Sequence, residues 1–128
     1  MQRQSVPAGT IYAESFGYSR AVRVGDIIHV GGTTATDAQG RIYGREDMYT
    51  QTLYALNKIK SALEDLGASV DDVVRTRVFV TNIDDWQEVA RAHGAFFSEI
   101  KPASALIEVS RLIDPDLLVE IEADAVLG

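Results

Sequence analysis

Leu118-Val119-Glu120-Ile121-Glu122-Ala123-Asp124-Ala125-Val126 is the stretch that decides the fold. Val119, Ile121, Ala123 and Ala125 alternate with Glu120, Glu122 and Asp124. A period of two sends successive side chains to opposite faces, so this is a strand with one buried and one acid-lined face. Upstream, Ala103 to Ser110 alternates in the same way, with Ala103, Ala105, Ile107 and Val109 on one face and Ser104, Leu106, Glu108 and Ser110 on the other. The linker Leu112-Ile113-Asp114-Pro115-Asp116 contains an Asp-Pro turn signal. The two strands are therefore expected to pair across a short turn.

Working outward, Lys101-Pro102 closes a helix whose apolar stripe is Trp86, Val89, His93, Phe96 and Ile100. Asp84 is its expected N-cap, with Gln87 three residues on as in a capping box. His93 lies on that stripe, which predicts a packed, hydrogen-bonded histidine. Val73 to Thr81 is a strand, with Val74, Thr76, Val78 and Val80 opposite Arg75, Arg77, Phe79 and Thr81. The two arginines match the spacing of Glu120 and Glu122, which predicts a cross-strand ion ladder.

Tyr49 to Leu66 reads as a helix, striped by Leu53, Leu56, Ile59, Leu63 and Leu66 and stopped by Gly67. Its outer face carries Asn57, Lys58, Ser61, Glu64 and Asp65. Before it, Ser19–Val24 and Ile27–Val30 form a hairpin about Gly25-Asp26, a pair suited to positive φ at its first position. Gly31-Gly32 ends the second strand, by a sharp bend or by close approach of another group. Thr33 to Gly44 is a polar connection, and residues 1–17 read as irregular.

The order is strand, strand, helix, strand, helix, strand, strand. Two helices of this length cover one face of a mixed sheet, giving a two-layer α+β sandwich. Phe79, Leu106 and Leu118 are expected on the uncovered face beside the charged groups, and that mixture suggests an oligomer interface.

The 128 residues fit a single domain spanning 1–128, with 46% hydrophobic and 24% charged residues typical of a globular fold. No apolar run approaches the roughly 20 residues of a membrane span, and Met1-Gln2-Arg3-Gln4 lacks a signal-peptide pattern. Without cysteine there are no disulfides or thiolate nucleophiles, and a cytoplasmic location is expected. The two histidines, His29 and His93, are far apart in sequence, and no metal site is expected. A net charge of −7 and a pI near 4.7 disfavour nucleic-acid binding.

The chain resembles the Rid/YjgF group of small trimeric proteins from Tyr18 to Val126. The resemblance is carried by Val24-Gly25-Asp26, Gly31-Gly32, Val78-Phe79-Val80, Asp85-Trp86, Phe96-Phe97, Pro102-Ala103, Glu108-Val109, Arg111-Leu112 and Val119 to Ala123. No piece is specific alone; their order and spacing are. The resemblance implies a chorismate-mutase-like fold, a homotrimer with a central barrel, and ligand clefts between subunits. Active members hydrolyse reactive enamines and imines such as 2-aminoacrylate without a cofactor. In them a glutamate of the last strand positions or activates water, an arginine after Pro-Ala holds the substrate carboxylate, and a tyrosine and a small residue line the cleft.

Carried onto this chain, the glutamate is Glu120, the tyrosine Tyr18 and the small residue Gly31. The arginine position is Ser104, the cysteine two residues beyond it is Leu106, and the asparagine of the second helix is Ala90. A serine cannot replace a permanently charged, bidentate guanidinium, so 2-aminoacrylate is not expected as the substrate. A partly buried Glu120 without a nearby cation is expected to have a raised pKa and to serve as a general acid or base. Three readings follow: a hydrolase of another enamine or imine, a metabolite-binding or chaperone-like trimer, and, least favoured by the acidic charge, a ribonuclease.

Overall fold

A computed structural model describes residues 2–128. Six strands form one sheet in the order β1-β2-β3-β6-β4-β5: β1 Arg3–Pro7, β2 Ser19–Val24, β3 Ile27–Thr33, β4 Val73–Val80, β5 Ala103–Glu108 and β6 Val119–Val126. The helices are a single turn α1 (Ala13–Phe16), α2 (Met48–Asp65) and α3 (Trp86–Phe97). Among the described residues no helix is long and apolar enough to cross a membrane.

β6 lies at the centre of the sheet. Ile121 stands opposite Thr33 on β3 and Val78 on β4, and Ala123 opposite Val30 and Thr76. Val119, Ile121, Ala123 and Ala125 are essentially inaccessible beneath α2 and α3. On α2, Leu56, Ile59 and Leu63 are equally buried, each contributing roughly 1.5–3 kcal/mol of transfer free energy. The two-layer arrangement expected from the alternation is present.

The expected β5–β6 pair is absent, because β4 lies between them. β5 leaves α3 and returns parallel to β4, as a helical crossover allows, so β6 takes the other edge of β4. The segment after β5 is therefore a long connection, with a local turn in which Asp116 N–H donates to Asp114 Oδ1 (2.9 Å). The buried Gln51 tethers it: Nε2 donates to Asp116 O (2.9 Å) and Oε1 accepts from Leu118 N–H (2.8 Å). Leu106 stands opposite Val78 and packs toward the helical layer, not onto the open face.

Three further expectations change. Residues 3–7 form an edge strand on β2; only Val6 of the five is even partly buried, so no alternation advertised it. Asp84 does not cap α3: Asn82 Oδ1 accepts from Asp84 N–H (3.1 Å), opening one 3₁₀ turn, Ile83–Asp85, before the helix. β3 runs on through the paired glycines to Thr33, with its register to β6 shifted between Val30 and Thr33. The hairpin turn is as expected, with Gly25 at φ 60°.

Candidate functional site

The outward face of β6 carries three carboxylates in two environments. Glu122 and Asp124 are ion-paired. Arg77 Nη1 donates to Glu122 Oε1 at 3.2 Å and lies 3.7 Å from Asp124 Oδ2, Arg75 Nε lies 3.9 Å from the same atom, and His29 Nδ1 is 2.7 Å from Asp124 Oδ1. The ion ladder exists one step further along β6 than the Glu120–Glu122 spacing suggested, because Arg77 stands opposite Glu122 and Arg75 opposite Asp124.

Glu120 stands apart. It opens onto a cavity of about 530 Å³ walled by the 10–18 segment, β3, the 34–42 loop and the connection before β6. Among the described residues its carboxylate has no hydrogen-bond or ion-pair partner in the chain. Burial pushes its pKa up, repulsion from Glu122 adds to this, and Arg20 opposes both. Gly32 explains how the carboxyl fits: a methyl group there would overlap Glu120 Oε2 and come within 2.9 Å of Cδ. Glycine here leaves room for the carboxyl by close approach, not by φ; a larger residue would have to displace the Glu120 side chain.

Tyr18 lines the same cavity. Its hydroxyl is 2.7 Å from Thr10 Oγ1, and Phe16 meets its ring edge-on with centroids 5.8 Å apart. Gly31 does not line the cavity; a methyl there would make ordinary contacts at 3.6 Å with the Ser19 and Arg20 carbonyls. The small residue of the site is therefore Gly32. The register shift in β3 turns this second glycine toward Glu120.

Ser104 and Leu106 lie on β5, two strands from β6, and this chain does not bring them to the cavity. Ser104 Oγ is 2.7 Å from Thr76 Oγ1, which is 2.9 Å from His93 Nε2. His93 is thus hydrogen-bonded, and burial lowers its pKa, favouring the neutral imidazole.

The nearby cation that the sequence did not place is Arg20, 5% exposed. Its Nη1 donates to Gly32 O (2.6 Å) and Thr33 Oγ1 (3.0 Å), and its Nη2 donates to Ala8 O (3.2 Å). Its guanidinium carbon lies 5.8 Å from the Tyr18 ring centroid. Lys58, placed on the outer face of its helix by the periodicity, is instead partly buried and donates to Thr34 O (2.9 Å) and Thr36 O (2.8 Å), bracing the cavity loop. Burial, reinforced by Arg20, pushes its pKa down to about 8. A spacing of two from Tyr18 could have put Arg20 on the tyrosine's face of the strand. No sequence signal marked Lys58. Among the described residues no cluster of three or more His, Asp or Glu is arranged to hold a metal ion.

Comparison with known proteins places this geometry. A protein family described as Endoribonuclease L-PSP matches residues 11–127. A structure of a YjgF/YER057c/UK114 family member from Mycobacterium tuberculosis superposes with a TM-score of 0.89 at 44% identity, covering 98% of this chain and 100% of that one. The YjgF gene product of E. coli gives 0.82 at 32% identity, covering 97% and 94%. A RutC family protein of Pyrococcus abyssi is 37% identical over 108 residues, 84% of each chain. With this match over nearly its whole length and the chorismate-mutase-like fold those structures share, the chain belongs to the YjgF/RutC family, the Endoribonuclease L-PSP family.

Proposed function

We propose that the protein is a cofactor-free hydrolase of a small enamine or imine, with Glu120 as its acid–base group, acting as a homotrimer whose clefts lie between subunits. The observation that carries this reading is the Glu120 carboxyl, unpaired in a cavity with its pKa raised and in the space that Gly32 leaves open. Such a group holds its proton to higher pH than an exposed glutamate, which suits it to give and take a proton in turn. The open, mixed-charge sheet face and the family membership support the trimer.

The chemistry balances with one carboxyl. Protonated Glu120 gives its proton to the imine nitrogen. Water then adds to the carbon while returning a proton to the carboxylate, forming a carbinolamine. Glu120 protonates the amine, the C–N bond breaks, and the hydroxyl proton returns to Glu120 as a carbonyl and ammonia form. Tyr18 and Thr10 would orient the substrate. Ser104, at the family's arginine position, would reach a cleft only from a neighbouring subunit, as would Leu106.

Ammonia release from imines generated in situ tests the reading. Glu120→Gln keeps shape and removes the titrating group, so turnover should fall by roughly a hundredfold or more while the protein stays folded. Turnover of 2-aminoacrylate should be weak, since Ser104 offers one hydroxyl where a charged fork would be worth roughly a hundredfold. Ligand binding without ammonia release would favour a metabolite-binding trimer instead. Sedimentation at micromolar concentration should show three 14.0 kDa chains; a stable monomer would exclude the assembly.

A further inference from the structure

Resting on that reading of the site, we infer that the cavity selects a cationic, apolar or aromatic substrate without a carboxylate, the iminium of a hydrophobic amine. Two independent observations converge on this class. The first is charge. The charged side chains lining the cavity are Glu120, Asp114 and Arg20. Arg20 is nearly inaccessible, and three of its N–H groups already serve Gly32, Thr33 and Ala8, so it braces the wall and offers little to a ligand. Ser104 brings no positive charge if a neighbouring subunit contributes it. A substrate carboxylate would thus meet two carboxylates and only a guanidinium that is nearly inaccessible and tied into the wall, whereas a protonated nitrogen would meet Glu120.

The second observation is the wall. Ile11, Phe16 and Ile113 are 67%, 82% and 68% exposed, large apolar side chains left open to solvent at one cavity, and Ile42 and Leu117 continue that surface inward. A cavity of about 530 Å³ lies within the range that holds a ring-sized ligand, and this apolar stretch of wall, beside the hydroxyls of Thr10 and Tyr18 and the Glu120 carboxyl, suits a ring that carries a nitrogen. The bound cation and Glu120 share one proton: iminium with carboxylate and imine with carboxylic acid are the same complex, poised for water to add.

Benzylamine, phenylacetate and benzyl alcohol share a ring and differ in charge, and calorimetric titration of the full chain with each at pH 7.5 separates the possibilities. Benzylamine should bind at least about tenfold more tightly than phenylacetate. Glu120→Gln should weaken benzylamine by about tenfold or more and leave benzyl alcohol unchanged, which also shows the variant cavity to be intact. Benzylamine affinity should rise with pH as Glu120 ionises. Phenylacetate binding as tightly as benzylamine, benzylamine insensitive to Glu120→Gln, or no benzylamine binding at millimolar concentration would each overturn the inference. Turnover of carboxylate-bearing imines that needs Glu120, together with any of those results, would leave the hydrolase standing and remove only this substrate class. Turnover that survives Glu120→Gln would remove Glu120 as the acid–base group of the proposed hydrolase and overturn this inference with it.

Discussion

Glu120 and Glu122 are two residues apart on the same face of the same strand, yet they occupy opposite electrostatic situations. Glu122 faces Arg77 across β4, half open to solvent, and with Asp124 it shares a ladder completed by Arg75 and His29. Glu120 stands opposite Phe79, an aromatic where the next pair has an arginine, and its other neighbour strand presents a glycine. Replacing a cation by a ring on one side and removing a side chain on the other converts a paired surface acid into a half-buried, unpaired one. Alternation places an acid on a face; its cross-strand neighbours decide whether its pKa is raised or the acid is held ionised in a pair.

The sharpest way to break this contrast is at the glycines. Gly32→Ala should displace the Glu120 side chain and cut any turnover by about tenfold or more, since misplacing a catalytic group by an ångström is that costly. Gly31→Ala, with only ordinary contacts to make, should leave activity within about twofold. Equal losses in the two variants, measured by ammonia release, would mean that the close approach to Glu120 is not what residue 32 provides.

A second test reads the buried acid through stability. With its folded pKa raised above 4.5, Glu120 keeps its proton in the folded state over a range where the unfolded chain has lost it. Wild-type stability should therefore fall as pH rises from about 4.5 through the raised value. Glu120→Gln should lack this fall and gain on the wild type as pH increases, in thermal unfolding followed from pH 4 to 8. The same variant loses function and gains stability, a combination that a merely structural glutamate would not show.

Lys58 gives the mirror image. Its pKa is depressed to about 8 from 10.5, so wild-type stability should rise across that interval as the buried ammonium loses its proton before the unfolded one has done so. Lys58→Met should abolish that rise. If the variant kept it, the titration would belong to another group.

The smallest effect belongs to the paired end. Glu122→Gln should cost no more than about 1 kcal/mol, decreasing with added salt, and leave turnover intact. A large loss of activity there would erase the distinction between the two glutamates.

How far these features were legible from residues alone follows the same division. The buried faces of β6, β4 and α2 were readable because periodicity is a local property. Strand order was not: the Asp-Pro linker looks like a hairpin turn, and only the crossover through α3 forces β5 to the far side of β4. Tyr18 and Glu120 were placed in one site by family resemblance, and the structure brings them to one cavity. The choice between Gly31 and Gly32 turned on a register shift that no composition announces. Arg20 and Lys58 escaped because a buried cation held by backbone carbonyls leaves no pattern; its partners are peptide groups, which every sequence has.

Gln51 carries a consequence of its own. From the first turns of α2 its amide donates to Gly44 O (3.2 Å) and Asp116 O (2.9 Å) and accepts from Leu118 N–H, and the Arg45–Asp116 ion pair lies beside it. One side chain thus ties together two stretches 72 positions apart, from Gly44 to Asp116, that each adjoin residues lining the cavity. Neither stretch can open by itself without leaving a buried amide unpaired, which costs on the order of 1–3 kcal/mol. In native-state hydrogen exchange the amides of both stretches should open with one common free energy, as a single cooperative unit rather than as two independent flaps.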